Sequence, residues 1–446
     1  MHPMNEVLER QLVELRATLS TIADFYARPS LNTMQRSLTA KRPIYAGGFV
    51  LTRFLMQFAI GRMALIVASI FFHGRRSLPG DDRITFQFSL TANNTAALER
   101  ANLLINAAYG LTEAVNDRKM PIHQYLRSAL SLPTILAYAR ELKPYRDRAP
   151  LTCVFLALSA AADLLMRRAL AAAPRKHVLV ANDHSPATVA LLNIARGQGL
   201  KTAYLQHGQV TDDFPPLVCD LSVLHNECSL QAYRRAAQKR GVPFPDRDAI
   251  LMLPSFSDNF RMPRVGPEPD HICVYLSNFP SVDALTRLVA TLAQQAWVKR
   301  ISLRRHPRCK TDLNRLLSAG EGKCEILDRR SAATLRPHIG IVSNSGVVIE
   351  ALHRGVPLLY FAEGDTIPYD YYGYAEDKIV PIYTEENLKA PQTLNAFYSD
   401  AWRARFSMYD PTVEKELHDV QASFVMGIGG FLGRQPTREA SGIQSG

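Results

Sequence analysis

The chain has 446 residues, which is enough for two or three domains. Hydrophobic residues make up 47% of it and charged residues 21%, a balance typical of globular proteins and not of disordered ones. The formal net charge of +11 predicts anionic partners, such as nucleotide phosphates or anionic lipid head groups. Nucleic acid is not expected as a partner, because the sequence has no basic aromatic ribbon, no zinc-finger spacing and no helix-turn-helix pattern.

The six cysteines form no CxxC pair, and several lie inside apolar runs such as LTCVFLAL and HICVYL. We therefore expect buried free thiols in a reducing cytoplasm. The opening segment is charged and has a helical pattern, so a secretory signal peptide is not expected. The lack of GxGxxG, P-loop and HExxH motifs argues against a dinucleotide enzyme, a Walker NTPase and a zinc protease.

Residues 1–76 are predicted to form a helical, basic and apolar region. The apolar stretch 49–76 has Arg53 and Arg62 in its interior, and its uncharged part after Arg62 is too short to span a bilayer. Two interpretations remain open. One is a buried core helix, and the other is a helix at an anionic membrane surface, with Arg75 and Arg76 in contact with lipid head groups.

Further along the chain, the predicted elements alternate between strands and helices. The first group has a strand in RITFQFSL, helices over 95–145, a strand at 177–181, a helix at 186–196, and strands in LKTAYLQHG and CDLSVLHN. The second group has strands in HICVYLSN, RISLRRHPR, CEILD and HIGIV, with an amphipathic helix in SVDALTRLVATLAQQAW. This alternation predicts parallel α/β sheets.

These elements predict the domain organisation. Residues 77–256 should form an N-terminal Rossmann-like lobe, with a linker over 254–270 that is rich in proline, glycine and charge. Residues 270–400 should form a C-terminal Rossmann-like lobe. Helices over 401–434 and a disordered tail over 435–446 complete the prediction.

The segment HIGIVSNSGVVIEALHRGVPLLYF places polar residues at the carboxyl end of an apolar strand, where open α/β sheets bind ligands. A helix predicted to begin at Ser345 would point its N–H groups at an anion, beside the Ser343 hydroxyl, the Asn344 amide and the open backbone of Gly346. Glu350, about one turn further on, could accept both hydroxyls of a ribose. Together these groups predict a nucleotide site, and an ordinary helix cap is the alternative.

The strand in LRRHPR also ends in polar groups, at His306 and Pro307, with Arg305 and Arg308 beside them. In a parallel sheet this end should lie at the same edge as Ser343. Histidine and arginine side chains there could neutralise a leaving phosphate, so no metal ion is expected to be required. The alternative is a basic surface loop.

In the N-terminal lobe, Asp183 and His184 follow one predicted strand, and His207 follows the next. Asp183 is our candidate for the carboxylate that deprotonates an acceptor hydroxyl, or for a nucleophile if the reaction retains configuration. Asp212 and Asp213 are the rival carboxylates. The alternative for Asp183 is an Asx-type cap of the helix that follows.

These strand-end motifs resemble those of the bacterial GT-B glycosyltransferases of capsule and surface-polysaccharide synthesis. That group includes polysialyltransferases, Kdo transferases that use CMP-activated donors, and CDP-glycerol glycerophosphotransferases. Its His-Pro motif is similar to His306-Pro307, its paired serines to Ser343 and Ser345, and its His-Gly motif to His207-Gly208. The resemblance covers roughly residues 177–362 and implies that the His-Pro and serine motifs contact the nucleotide phosphate.

The resemblance implies an α/β, GT-B-like fold, with two Rossmann-like lobes facing a cleft and extra N-terminal and C-terminal helices. It makes 77–256 the acceptor-side lobe and 270–400 the nucleotide-sugar-binding lobe. It implies transfer of a sugar, such as Kdo or sialic acid, from a nucleotide-sugar donor to an oligosaccharide or lipid-linked glycan acceptor. The acidic pair followed by glycine that serves as the base in sialyltransferases is missing. The alternatives are a CDP-glycerol-type polyol-phosphate transferase, a sugar-nucleotide epimerase and a non-catalytic GT-B assembly partner.

Overall fold

The computed structural model describes residues 3–27, 43–73, 77–78, 85–89, 91–110, 118–171, 176–306, 309, 311–327, 337–367 and 369–434. The chain divides into two compact units. Unit 1 comprises Met1–Leu224, Gln231–Met252 and Gln421–Gly446, and unit 2 comprises His225–Leu230 and Leu253–Val420. The predicted disordered tail at 435–446 lies outside the described residues, and the predicted domain bounds stay predictions.

The helices are numbered in chain order. Those of the first half are α1 (Pro3–Phe25), α2 (Pro43–Gln57), α3 (Ala59–His73), α4 (Ala92–Tyr109), α5 (Ile122–Ala129), α6 (Leu132–Glu141), α7 (Pro150–Ala171), α8 (Pro186–Gly197) and α9 (Glu227–Arg240). Those of the second half are α10 (Val282–Ala293), α11 (Asn314–Ala319), α12 (Val347–His353), α13 (Glu385–Lys389), α14 (Leu394–Phe397), α15 (Asp400–Phe406) and α16 (Leu417–Leu432).

The strands are β1 (Ser77–Leu78), β2 (Thr85–Phe88), β3 (Arg118–Lys119), β4 (His177–Val180), β5 (Lys201–Leu205), β6 (Leu221–Leu224), β7 (Ile250–Met252), β8 (His271–Tyr275), β9 (Arg300–Arg304), β10 (Cys324–Leu327), β11 (Ile339–Val342) and β12 (Leu358–Tyr360). Within the predicted helical stretch 95–145, the short strand β3 pairs antiparallel with β1, so that stretch is not helical throughout.

Unit 1 is built on a five-stranded sheet in the order β2-β4-β5-β6-β7, and every neighbouring pair is parallel. Strands β4 and β6 are buried along their whole length, as expected for a parallel sheet covered on both faces. The long helix α7 packs against α8, α3 and α1. Among the described residues, α7 is the one helix long and apolar enough to cross a membrane by length and composition, and 78% of its most apolar 18-residue stretch is buried within the protein.

Unit 2 is built on a second five-stranded sheet in the order β10-β9-β8-β11-β12, again parallel throughout. Gly340 in β11 leaves room for the ring of Tyr275. A Cβ atom there would collide with Leu358 and lie 2.9 Å from Tyr275 Cε2. The Tyr275 ring therefore lies across one face of the sheet, where its hydroxyl reaches His338 Nε2 at 2.7 Å.

The predicted fold class is confirmed, since both units are α/β, each has a parallel Rossmann-like sheet, and further helices precede and follow the sheets. The apolar stretch that begins at Phe49 forms two 15-residue helices, α2 and α3, and not one long helix. Buried Arg62 donates to the carbonyl oxygens of Met56 and Ala139, at 2.7 Å each, and so satisfies backbone groups beside the break.

A buried histidine–aspartate pair ties together separate segments of unit 2. His353, at the end of α12, has Nδ1 2.7 Å from Asp410 Oδ2 and Nε2 2.9 Å from the carbonyl oxygen of Asp258. Its ring stacks on Phe256, with 3.9 Å between the ring centroids. Both side chains of the pair are fully buried, so neither can exchange its partner for water.

We expect His353→Ala to lower the free energy of unfolding of unit 2 by about 3–5 kcal/mol, because the Oδ2 atom of buried Asp410 would lose its partner. Both tryptophans of the chain, Trp297 and Trp402, lie in unit 2, so denaturant unfolding followed by tryptophan fluorescence reports on this unit. The matched control is His418→Ala, at an exposed histidine 3.5 Å from Asp419. A loss no larger in His353→Ala than in the control would contradict the assignment.

Candidate functional site

The predicted catalytic residues of unit 1 lie together at one edge of its sheet. Strands β4 and β5 are parallel neighbours, with Val180 paired to Tyr204, so the residues that follow them emerge at the same edge. The rings of His184 and His207 are 6.1 Å apart, centroid to centroid, and His184 Nδ1 lies 2.8 Å from Asp183 Oδ1. The structure thus brings all three residues into one cluster.

The cap of α8 is provided by other residues than Asp183. Ser185 is the N-cap residue, and its side chain accepts from the N–H of Thr188 at 3.4 Å. The Asn182 side chain accepts from the N–H groups of His184 and Ser185, at 3.0 and 2.7 Å, and shapes the turn before the helix. The Asp183 carboxylate is therefore not used as a helix cap.

Asp183 accepts two hydrogen bonds in a largely buried setting, with 9% of its side chain exposed. Besides His184, its partner is the Tyr233 hydroxyl, which donates to Oδ2 at 2.5 Å. Tyr204 lies 2.9 Å from the Tyr233 hydroxyl and must donate to it, since Tyr233 has a single proton and directs it at Asp183. Burial alone would raise the pKa of Asp183, but hydrogen bonds from His184 and Tyr233 and the nearby His207 lower it below its usual value.

Aromatic rings fix the position of His184. Its imidazole stacks on Phe25 at the end of α1, with centroids 4.6 Å apart, and meets the edge of Phe214 at 5.1 Å. With Nδ1 directed at Asp183, the other ring nitrogen, Nε2, is the one that can exchange a proton with a substrate. This is the arrangement in which a carboxylate sets the tautomer and orientation of a histidine base.

The rival carboxylates serve a surface ion pair. Asp212 and Asp213 lie 4.0 and 3.4 Å from Lys239 Nζ, and 44% and 31% of their side chains are exposed. Within the described part of the chain, no group of three or more His, Cys, Asp or Glu residues could hold a metal ion. The expectation that no metal is needed stays a prediction.

In unit 2, the serine motif is tied into a loop. The predicted helix start at Ser345 was wrong, because α12 begins at Val347 with Gly346 as its N-cap residue. The Ser343 hydroxyl donates to the carbonyl oxygen of Phe361 at 2.8 Å. Asn344 accepts from the N–H of Tyr371 at 2.8 Å through its Oδ1 atom. These two side chains anchor the segment after β12, which delays the helix by two residues.

Two other predicted phosphate ligands follow β9. Arg305 donates to the carbonyl oxygen of Thr311 at 3.2 Å, and the carbonyl oxygen of His306 accepts from the N–H of Cys309 at 2.9 Å. Only β8 separates β9 from β11, so His306 and Ser343 follow strands about 10 Å apart at one edge of the sheet. Pro307 and Arg308 lie outside the described residues.

Glu350 forms an ion pair with an arginine at the other end of α12 from the serine motif. Its carboxylate is 2.9 Å from Arg354 Nη1, one turn along α12. Both residues line a cavity of about 550 Å³, together with Arg261, Arg264 and Arg304. The nucleotide-binding roles of the serine motif, His306 and Glu350 stay predictions, while this arginine-lined cavity was missed by the sequence analysis.

No family model matches the chain, and no curated protein matches it in sequence. Similar solved structures include a UDP co-structure of S. aureus MnaA, which is 9% identical at a TM-score of 0.45 over 78% of this chain and 96% of that chain. A UDP-N-acetylglucosamine 2-epimerase is 14% identical at a TM-score of 0.43, over 79% and 97% of the two chains. The lipopolysaccharide outer core galactosyltransferase WaaB is 9% identical at a TM-score of 0.39, over 78% and 98%. At such scores and identities these similarities say nothing about function by themselves.

The hydrogen bond from Tyr233 to Asp183 can be tested by its pH dependence. We expect Tyr233→Phe to lower the free energy of unfolding of unit 1 by about 1.5–3 kcal/mol at pH 7, the usual contribution of a hydrogen bond to a charged group. Because the pKa of Asp183 is lowered in the folded protein, its stabilisation is present above the ordinary aspartate pKa and is lost as the pH falls through the lowered value. The deficit of Tyr233→Phe should therefore shrink in acid.

The measurement is denaturant unfolding followed by far-ultraviolet circular dichroism at pH 7 and at lower pH. Tyr204→Phe is the matched control, because its hydroxyl meets the neutral Tyr233 hydroxyl and its loss should cost a smaller, pH-independent amount. An equal deficit for Tyr233→Phe at every pH would show that the bond does not depend on a charged Asp183.

Proposed function

We propose that the protein is a nucleotide-sugar-dependent glycosyltransferase. Its donor is a CMP-activated sugar acid, such as Kdo or sialic acid, and its acceptor is a bacterial capsule or lipopolysaccharide-type glycan. The single observation that carries the proposal is the cluster of Asp183, His184 and His207 at the carboxyl edge of a parallel sheet. The cytoplasmic face of the bacterial membrane is the location that suits such a donor and acceptor.

In this mechanism His184 is the base, in place of Asp183, the candidate that the sequence analysis gave. Its Nε2 atom takes the proton from an acceptor hydroxyl, whose oxygen forms a bond to the anomeric carbon of the donor. The bond from that carbon to the phosphate oxygen breaks, and its electron pair leaves with the nucleotide. Asp183 is a positioning residue here, because a carboxylate of lowered pKa is a weak base but a good partner for the imidazolium that forms.

The second sheet supports the proposal from the donor side. Its carboxyl edge carries Arg305 and His306 after β9 and the serine motif after β11. Cationic and hydroxyl groups of this kind can neutralise the charge of a leaving nucleotide without a metal ion.

We expect CMP to raise the melting temperature of the protein in the presence of EDTA, since a ligand of the folded state stabilises it by mass action. Asp183→Asn should keep this shift and lose release of CMP from a CMP-activated sugar acid. His306→Ala and Ser343→Ala should reduce the shift. Ser345→Ala should do the same with less effect on the fold, because its hydroxyl makes only a long contact, 3.5 Å, with the N–H of Val347.

Ser281→Ala is the matched control, since Ser281 also precedes a helix of unit 2 and makes no capping hydrogen bond. CDP, UDP and GDP are tested beside CMP. A stronger shift with CDP would favour a polyol-phosphate transferase, and one with UDP or GDP a different sugar transferase or an epimerase. Full turnover in Asp183→Asn would remove Asp183 from the mechanism, and no shift with any nucleotide would contradict the enzyme assignment.

We further infer that unit 1 docks on an anionic membrane through α2 and α3. These helices expose large apolar side chains in the free protein, and α5 with the residue that follows it adds three more. The exposed residues are Ile44, Val50, Leu51, Phe54, Phe58, Ile60, Phe71, Phe72, Ile122, Leu126 and Leu130. Phe71 contacts Tyr125 of α5, with ring centroids 5.8 Å apart, so the two parts form one surface.

The charge of this surface suits a lipid bilayer with acidic head groups. No Asp or Glu occurs between residues 43 and 73, while Arg53 is exposed on α2 and Arg127 on α5. An apolar face with basic residues around it is typical of helices that lie in the membrane interface. Arg75 and Arg76, predicted to contact lipid head groups, lie outside the described residues.

We expect the protein to sediment with vesicles that contain phosphatidylglycerol, and to bind less at high salt because the head-group attraction is screened. Leu51→Glu combined with Phe54→Glu should abolish sedimentation, since both side chains face outward on α2. Ile382→Glu, at a residue of unit 2 that is 61% exposed, is the matched control. Wild-type indifference to vesicles would contradict the inference, and dimerisation that the double variant removes would assign the surface to a second copy.

A further inference from the structure

The cavity of about 550 Å³ in unit 2 carries more positive charge than its own carboxylates can neutralise. Its charged lining consists of Asp258, Arg261, Arg264, Arg304, Glu350 and Arg354, with Tyr275 and His338 beside them. Four arginines and two acidic residues thus line it. A surplus of this size in a concave site raises the local concentration of anions.

Both carboxylates are already engaged by one arginine. Arg354 lies 2.9 Å from Glu350 Oε1 through Nη1 and 3.6 Å from Asp258 Oδ2 through Nε. Within the described part of the chain, Arg261, Arg264 and Arg304 form no ion pair with a carboxylate. Three guanidinium groups are therefore available to an incoming anion.

The backbone that carries two of these arginines is held on both sides. The N–H of Arg261 donates to the carbonyl oxygen of His353 at 2.8 Å, and the N–H of Val265 donates to Asn395 Oδ1 at 2.8 Å. Gly355 has φ +80° and no side chain, which lets this segment pass close by, since a Cβ atom there would lie 3.3 Å from the Met262 carbonyl oxygen. Such preorganisation lowers the entropy cost of binding.

The third arginine is fixed by the sheet. The Arg304 guanidinium carbon lies 5.5 Å from the centre of the Tyr275 ring, in a cation–π contact. Tyr275 is in turn held by its hydrogen bond with His338. Arg304 thus reaches the cavity from the end of β9. Arg261 and Arg264 reach it from the segment that connects β7 to β8.

This cavity is distinct from the serine motif. His338 precedes β11 and Ser343 follows it, while Gly346 precedes α12 and Arg354 follows it. A seven-residue helix is about 10 Å long, so the two sites lie at opposite ends of α12. Neither Ser343 nor Ser345 lines the cavity.

We propose that the arginine cavity is a second anion site, which binds a phosphorylated small molecule with two or more negative charges. Arginine suits phosphate because its planar group forms paired hydrogen bonds with two oxygens. A volume of about 550 Å³ lies in the range of small-molecule sites and exceeds what a single phosphate group fills. The proposal does not depend on the glycosyltransferase assignment.

The test is isothermal titration of the full-length protein with inorganic pyrophosphate. To remove the serine motif from the measurement, it starts from the double variant His306→Ala and Ser345→Ala, which we expect to bind pyrophosphate at the cavity. Adding Arg261→Gln and Arg264→Gln should weaken this binding by at least about tenfold, because charge-assisted hydrogen bonds are lost. Arg304→Gln alone should weaken it in the same direction.

Arg405→Gln is the matched control, since it removes the same charge from an exposed helix position of unit 2. Tryptophan fluorescence checks that unit 2 stays folded in each variant. Unchanged affinity in the arginine variants would overturn the proposal, as would loss of binding on removal of the serine motif alone. Failure of CMP to stabilise the protein would contradict the proposed function and leave this site intact, so the two outcomes are distinguishable.

Discussion

Parallel pairing of neighbouring strands is the constraint on which both candidate sites depend. In a parallel sheet the carboxyl ends of all strands lie at one edge. Residues that follow different strands therefore meet there even when they are far apart in sequence. In unit 1 the pairing of β4 with β5 places Asp183 and His184 beside His207. In unit 2 the same constraint aligns the ends of β9, β8 and β11, and with them His306 and Ser343.

Burial of the Asp183 carboxylate is tolerated because hydrogen-bond donors converge on it. Burial disfavours the charged form, and an unpaired buried carboxylate would take up a proton. The Tyr233 hydroxyl and His184 Nδ1 each direct a hydrogen bond at one of its oxygens. The charge is thus stabilised by groups from the turn after β4 and from α9, which gives His184 an anionic partner at neutral pH and a single tautomer.

The sequence predicted what depends on local pattern. Apolar strands, the helix after Pro186 and the strand-end position of Asp183 follow from residues close together in the chain. Tyr233 and Phe25 were missed, because they reach the cluster from α9 and α1, and nothing in their own neighbourhood marks them. The predicted start of α12 was wrong for a similar reason, because residues distant in sequence act on it.

At the start of α12, the segment after β12 competes for the polar side chains that would otherwise cap this helix. Ser343 and Asn344 bind that segment, 18 and 27 residues further along the chain.

The net charge predicted anionic partners but not where they bind. An arginine that is paired with a carboxylate attracts an anionic ligand only weakly, and the sequence does not show which arginines are paired. Arg300 and Arg315 are each paired with a carboxylate, at 2.5 and 2.8 Å. Arg261, Arg264 and Arg304 converge from a loop and a strand, and only the fold shows that their charges add.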